Sequence, residues 1–263
     1  MKAIICCMLA FFFLQSCTKT KKDYIETTAD INMEMVYVEG GKFMMGATEE
    51  QGSMAQADEY PVHEVCLKSF YIGKFEVTQT QWEKVMGKSL QDLRIQAEQG
   101  SYIAGEGNNH PIYYVNWEDA NAFCTALSKM TGKKYVLPDE AQWEYAARGG
   151  ILSKGYLYSG GDTLNEVAWC NQNGGNGTHI VGLKRANELG IFDMSGNVWE
   201  WCSDSYGTYG TEQTERCKVD KRVVRGGAWY SDATYNRVSA RYGDDKDERS
   251  HNVGFRVVMI PEK

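Results

Sequence analysis

The most informative segment of the chain is residues 190–204, which read GIFDMSGNVWEWCSD. Its acidic and amide side chains place hard oxygen atoms around a glycine turn, and a calcium site needs such oxygen ligands. These side chains are Asp193, Asn197, Glu200 and Asp204. A plainer interpretation is a turn that leads into an aromatic strand of the core. The residue types alone leave both interpretations open.

Three segments before this one predict helices, because apolar residues recur at helical spacing between capping residues. The segments are TQTQWEKVMG (78–87), NWEDANAFCTALSKMTGK (116–133) and LPDEAQWEYAARGG (137–150). Thr78 is the expected cap of the first helix, and Gly87 and Gly132 are the expected ends of the first two. In the third helix, Glu140 suits the first turn, and Glu144 stands four residues before Arg148. An ion pair is favoured there over a catalytic pair of acids.

Strand-like stretches flank the helices on both sides. MVYVEGGKFMMG (35–46) predicts a β-hairpin that turns at Gly40 and Gly41, and residues 62–78 predict further strands. After residue 150 the chain is expected to be irregular, with strands returning at RVVRGGAW (222–229) and VGFRVVMI (253–260). His110, alone in a loop before a proline, is interpreted as a structural residue.

Composition agrees with a loop-rich, aromatic domain rather than a helical bundle. The 263 residues include 27 Gly, 4 Pro, 7 Trp and 16 Tyr, which indicates glycine turns around a core of rings. The formal charge of −7 and the lack of a basic stripe argue against a nucleic-acid partner. A single domain from about residue 33 is the simplest organisation.

The first residues resemble a bacterial lipoprotein signal. Lys2 precedes an apolar stretch at 3–14, and Ser16 precedes Cys17, the expected lipidation site. We predict a signal peptide at 1–16, a lipidated Cys17 and tether at 17–33, and a folded domain at 34–263. The predicted location is the bacterial cell envelope, periplasmic or surface-exposed, with the lipid as the only membrane contact. A plain secretory signal and an uncleaved anchor are the alternatives.

The folded part holds an odd number of cysteines, so at least one lacks an intramolecular partner. They are Cys66, Cys124, Cys170, Cys202 and Cys217. Cys202 and Cys217 are nearest in sequence, but the spacing does not establish which cysteines pair. No pair has C-x-x-C spacing and the histidines are scattered, so a structural zinc site is not expected.

Seven motifs in a fixed order resemble the sulfatase-modifying-factor family, whose best-known member is the formylglycine-generating enzyme. Besides the segments quoted above, they include HPIYYVNWEDANAFCTALS (110–128) and NVGFRVV (252–258). The resemblance implies an α+β fold of the formylglycine-generating-enzyme type, related to the C-type-lectin-like fold. It also implies one compact domain, low in regular secondary structure, with structural calcium. The calcium ligands would be the side chains of Asp193 and Glu200 and the backbone carbonyls of Gly196 and Val198.

The family enzyme oxidises a substrate cysteine with oxygen, using copper held by two cysteines five positions apart. Soft Cu(I) requires thiolate ligands. Aligned on Arg237 and Arg241, these positions fall on Ala233 and Val238, and neither side chain can ligate a metal. Copper is therefore not expected, and whether the chain is an enzyme stays open.

A polar and aromatic segment at 230–252 is the expected ligand-binding surface. Its composition resembles antibody-like loops and the variable segment of retroelement-diversified proteins. The predicted binding residues are Tyr230, Ser231, Asp232, Tyr235, Tyr242, Asp244, Asp245 and His251. Such a surface suits a protein or carbohydrate ligand better than an apolar one. An ordinary polar surface for this family is the alternative.

Three functional hypotheses follow. The first is an envelope lipoprotein that binds a ligand through residues 230–252. The second is a formylglycine-generating-type oxidase acting on a cysteine of an exported sulfatase. The third is a scaffold subunit of an envelope complex.

Overall fold

The computed structural model describes residues 22–98, 102–210 and 220–261. Cys17, Cys217 and the segment predicted as a signal peptide lie outside these residues. The described strands are β1 Tyr24–Glu26, β2 Met33–Val38, β3 Lys42–Met45, β4 His63–Cys66, β5 Phe70–Gly73, β6 Lys134–Val136, β7 Trp199–Ser205, β8 Lys221–Arg225, β9 Arg241–Asp245, β10 Val253–Gly254 and β11 Val258–Ile260. The described helices are α1 Gln79–Met86, α2 Leu90–Gln96, α3 Trp117–Thr131, α4 Glu140–Ala147 and α5 Leu164–Val167.

These strands form three sheets within the part of the chain that the structure describes. A five-stranded sheet has the order β1-β2-β5-β11-β6, a four-stranded sheet has the order β10-β7-β8-β9, and β3 pairs with β4 alone. Short strands and helices joined by long irregular segments make this an α+β fold that is low in regular secondary structure, as expected. The four-stranded sheet carries the site described below.

The three predicted helices are confirmed, and their ends follow local chemistry. The side chains of Thr78, Asn116 and Asp139 each accept a hydrogen bond from the backbone N–H three residues later. Gly87 and Gly132 end α1 and α3 in the left-handed conformation that glycine adopts without steric cost. These boundaries depend on neighbouring residues, so the sequence was sufficient to predict them.

The predicted hairpin at 35–46 is wrong. β2 pairs with β1 and β5, whereas β3 pairs with β4 in another sheet. A two-residue hairpin turn needs at least one positive φ, and neither Gly40 nor Gly41 has one. Glycine is required at Gly40 for a different reason, since a Cβ there would lie 2.4 Å from the carbonyl oxygen of Leu67. The glycine pair lets two segments cross closely instead of turning the chain back.

The predicted tether at 17–33 extends too far. Tyr24–Glu26 forms β1 on the edge of the five-stranded sheet, and Ile31 and Met33 are buried in the main core. Glu26 is buried and accepts hydrogen bonds from Lys133 and Tyr135. The polar composition of this segment suggested a linker, but Tyr24, Ile31 and Met33 pack in or against the core. The domain therefore begins before residue 34.

Glu140 and Glu144 belong to a buried ion-pair network, which confirms their structural interpretation. Arg225 of β8 bridges both carboxylates, with Nη1 3.2 Å from Glu140 and Nη2 2.5 Å from Glu144. Arg241 of β9 pairs with Glu140, and Arg148 pairs with Glu144 at four-residue helical spacing. The network attaches α4 to β8 and β9, which carry three residues of the site described below.

The described cysteines are all free thiols. Cys66 is exposed, whereas Cys124, Cys170 and Cys202 are buried. Burial raises the pKa of the Cys124 and Cys202 thiols above the ordinary value for cysteine, so both thiols stay protonated. Among the described helices, none combines the length and the apolar character needed to cross a bilayer.

Candidate functional site: an aromatic and acidic pocket

A cavity of about 560 Å³ lies on the four-stranded sheet, where strands β7, β8 and β9 meet the segments at 230–235 and 248–252. It is lined by Asn171, Trp199, Val224, Tyr230, Ser231, Asp232, Tyr235, Tyr242, Asp244, Glu248, Ser250 and Asn252. Six of the eight predicted binding residues are in this set. Residues that are up to 14 positions apart in the predicted surface thus converge on one pocket.

The predicted surface is not made of loops alone. Residues 241–245 form β9, which pairs antiparallel with β8. Side chains alternate between the two faces of a strand, so Tyr242 and Asp244 share the pocket face while Gly243 is buried on the other. A Cβ at position 243 would lie 2.3 Å from the ring of Tyr206, which explains why a glycine stands within this strand. A strand holds the two pocket side chains in fixed positions.

An aromatic group forms the apolar part of the pocket. The ring of Trp199 is nearly buried, and its centroid lies 6.0 Å from that of Tyr235 and 6.1 Å from that of Tyr242. Tyr230 and Tyr242 are 46% and 48% exposed, which is unusual for large rings at the edge of a core. The free faces of these rings are available to a ligand.

Two predicted binding residues, Asp245 and His251, lie outside the pocket lining. Asp245 follows Asp244 on the strand, so alternation directs it away, and its carboxylate accepts a hydrogen bond from the backbone of Asp247. His251 packs against rings instead, with centroids 5.8 Å from Tyr230 and 5.1 Å from Tyr102. Burial lowers the pKa of His251, which favours the neutral ring. His251 supports Tyr230 from behind.

Six residues of the lining are not among the eight predicted ones, and three of these, Glu248, Ser250 and Asn252, lie within the predicted segment 230–252. Trp199 was assigned to the core because it stands in the 190–204 motif, and Val224 lies in a strand with ordinary apolar character. Asn171 and Glu248 come from irregular segments. The spacing of Trp199 and Tyr242 gives no hint of their contact, which depends on the pairing of β7 and β9 with β8.

A second cluster lies under the 190–204 turn, where three buried carboxylates surround one cation. Arg256 donates to both oxygens of Glu200, at 2.6 and 2.7 Å, and Asp193 accepts from the backbone of Gly182. Glu76 accepts from Asn197 Nδ2 at 2.8 Å and from the backbone of Val198. The sequence analysis missed Glu76, whose motif FEVT reads as an ordinary strand end.

This cluster has features that fit a bound cation. Asp193 Oδ1 is buried and has no hydrogen-bond partner among the described residues. Burial raises the pKa of Asp193 to about 6, and burial together with the charges of Asp193 and Glu200 raises the pKa of Glu76 well above its ordinary value. Three acids with one guanidinium leave an excess of buried negative charge. Among the described residues no three carboxylate, histidine or cysteine side chains converge as a complete metal site, so backbone carbonyls and water would have to complete one.

The sulfatase-modifying factor enzyme 1-like domain is the family model that matches this chain, over residues 21–260. The chain belongs to the sulfatase-modifying-factor family. The match begins ahead of β1, in agreement with a domain that starts before residue 34.

Relatives in the family carry different names. The chain is 31% identical to the chaperone protein LppX of Paenibacillus barcinonensis over 278 residues, which cover 87% of this chain and 90% of that protein. It is 30% identical to the formylglycine-generating enzyme of Streptomyces coelicolor over 285 residues, which cover 84% of this chain and 87% of that protein. Variable protein 1 of Treponema denticola has a similar structure, with a TM-score of 0.75, 28% identity and coverage of 92% of this chain and all of that one. The fold class predicted from the resemblance is confirmed.

Ala233 and Val238, the predicted counterparts of the family's copper-binding cysteines, lie against different parts of the core. Ala233 packs on the small cluster around Tyr158 and Cys170, whereas Val238 is fully buried in the cluster that contains Trp143. Their methyl and isopropyl groups have no lone pair to offer a metal.

Proposed function

We propose that this family member is a cell-envelope lipoprotein that binds a protein or glycan ligand in the pocket on the four-stranded sheet. The convergence of half-exposed Tyr230 and Tyr242 with Trp199 on one cavity carries the proposal. Aromatic faces beside polar groups are the usual composition of a recognition surface. The likeness to variable protein 1 and to LppX supports a protein whose role is binding, and the Lys2 to Cys17 segment supports lipid anchoring at Cys17.

The proposal is tested by removing the exposed rings. We expect Tyr230→Ala and Tyr242→Ala, applied to the full chain in detergent, to reduce binding to a positive spot on a glycan or peptide array at least about tenfold, since a well-placed aromatic contact contributes more than 1 kcal/mol. The melting temperature should stay within about 3 °C, because half-exposed rings contribute little to the core. Tyr156→Ala removes a half-buried ring beside Lys154 and is the matched control.

Retained binding in both pocket variants would contradict the proposal. A fall in melting temperature that matches the loss of binding would assign the rings to the core instead. Tyr156→Ala should bind as the unmodified chain does, so an equal loss there would indicate a general effect on the surface.

The second candidate is a formylglycine-generating-type oxidase, favoured by the identity with the enzyme of Streptomyces coelicolor. The residues argue against it, because the aligned positions are Ala233 and Val238 and the buried thiols of Cys124 and Cys202 stay protonated. We expect no aldehyde and no oxygen uptake when the purified chain receives Cu(I) and a cysteine-containing peptide. Turnover that scales with copper loading would reverse the order of the two candidates. A scaffold role would instead show as stable co-purification with envelope proteins from detergent extracts.

We propose structural calcium at the 190–204 turn. The side chains of Asp193 and Glu200 and the carbonyls of Gly196 and Val198 would hold it, and the excess of buried negative charge around Glu76 supports a divalent cation. A bound calcium ion would neutralise these acids and fix the turn that enters β7. Since β7 carries Trp199, the ion would also stabilise the floor of the pocket.

A further inference from the structure

Every charged side chain among the described residues of the pocket lining is acidic. Asp232, Asp244 and Glu248 line the cavity, and no described lysine, arginine or histidine does. Within the described parts of the chain, none of these three carboxylates takes part in an ion pair, although the chain forms ion pairs widely elsewhere. Solvent-facing acids often stand alone, but three around one cavity repel each other and favour a cation between them.

Asp232 and Asp244 each use one carboxylate oxygen in a hydrogen bond to the described backbone. Asp232 Oδ1 accepts from the backbone of Thr234 at 2.8 Å, and Asp244 Oδ1 accepts from the backbone of Asp245 at 3.0 Å. Among the described residues, the second oxygen of each carboxylate has no hydrogen-bond partner, so it can accept from a ligand. Partial burial, with the charge of Glu248, raises the pKa of Asp244, and this repulsion outweighs the opposite influence of Lys221.

The exposed rings complete a surface that suits a cation. A guanidinium or ammonium within about 6 Å of an aromatic ring is attracted to the ring face, most strongly when partly desolvated. The chain already uses this contact internally, where Arg222 lies 4.1 Å from the ring of Trp117 and Arg241 lies 4.1 Å from that of Tyr209. In the pocket, no cation of the described part of the chain lies over the faces of Tyr230 and Tyr242.

We infer that the pocket accepts a lysine or arginine side chain presented by a partner protein. This inference rests on the proposed ligand-binding function and specifies its ligand. Rings would contact the aliphatic stem and the charged group, while Asp232, Asp244 and Glu248 would accept its N–H donors. A neutral glycan could stack on the same rings, but it would leave three carboxylates without a counter-charge.

The test selects ligands before measuring them. A random decapeptide phage library is selected on the full chain in detergent, and in parallel on the Asp244→Asn/Glu248→Gln double variant. We expect lysine and arginine to be enriched in peptides selected by the unmodified chain and not in those selected by the variant. Asp247→Asn is the control, because Asp247 is exposed and does not line the cavity.

A selected peptide is then resynthesised with citrulline for arginine and norleucine for lysine, which keep shape and remove charge. We expect at least about tenfold weaker binding of the neutral peptide, and a similar loss with the double variant, while Asp247→Asn changes affinity less than about twofold. Equal binding of charged and neutral peptides, or an equal loss in Asp247→Asn, would overturn the inference. Glycan-array binding that Tyr242→Ala removes, without basic enrichment, would overturn the inference and keep the proposed function. If neither the peptide library nor the glycan array shows binding that depends on Tyr230 or Tyr242, both the inference and the proposed function are overturned.

Discussion

Replacing Arg225 by methionine is expected to lower the free energy of unfolding by about 3–5 kcal/mol, because Glu140 and Glu144 each lose one of two buried cationic partners and the network keeps one excess negative charge. Arg225 is fully buried and bridges Glu140 and Glu144. It also donates to the carbonyls of Val238 and Ser239. Methionine fills much of the volume but supplies none of these donors. Urea denaturation followed by tryptophan fluorescence measures the change.

Two variants separate the buried charge from a general loss of packing. Arg185→Met removes an exposed pair with Glu166 and should cost less than about 1 kcal/mol. Glu144→Gln added to Arg225→Met removes the excess negative charge of the network and should recover part of the stability. A cost of less than 1 kcal/mol for Arg225→Met, or no recovery in the double variant, would show that the network does not depend on charge. The double variant keeps the experiment informative if the single one is insoluble.

The network also explains how a polar surface is held in place. Arg225 belongs to β8 and Arg241 to β9, and both attach to α4 through Glu140. These ion pairs therefore fix the strands that carry Val224, Tyr242 and Asp244. The side chains on the pocket face of the strands remain free to contact a ligand. A rigid scaffold under a variable surface is the arrangement that binding proteins use.

Local features of the fold could be predicted from the sequence, and pairings between distant segments could not. Thr78, Gly87 and Gly132 act on their own helix ends, so the sequence alone was enough to find them. β3 pairs with β4, and no residue near Gly40 indicates that β4 lies beside it. β9 is rich in polar residues, which have a low propensity for strands. Its pairing with β8 outweighs this low propensity.

The candidate site shows the same division. Tyr230, Asp232, Tyr235, Tyr242 and Asp244 were predicted from composition, because exposed aromatic and acidic residues are typical of binding surfaces. Trp199 could not be predicted, since a tryptophan in a core motif gives no sign that one edge faces a cavity. Glu76 and Asp193 lie far apart in the chain, and only the fold brings their charges together. Asp245 shows the limit of composition, which does not indicate the face of a strand.

Calcium is expected to raise the melting temperature of the metal-stripped chain by roughly 5–10 °C. A ligand present at 100 times its dissociation constant stabilises the folded state by about 2.7 kcal/mol, and each kcal/mol shifts the melting temperature of a domain of this size by about 2–4 °C. The stabilisation arises because the ion neutralises Asp193, Glu200 and Glu76, whose buried charges are balanced, among the described residues, mainly by Arg256. Scanning calorimetry after EDTA treatment, with and without calcium, measures the shift.

Asp193→Asn is the variant that isolates the site, because it keeps the shape of the side chain and removes one charge. We expect it to lose most of the calcium-dependent shift and to be at least as stable as the unmodified chain without calcium, since one buried repulsion is gone. Asp247→Asn makes the same chemical change at an exposed position and should keep the full shift. A calcium response that survives Asp193→Asn would place the ion elsewhere. No response in the unmodified chain would mean that Arg256, with protons on Glu76 or Asp193, balances the cluster without a metal.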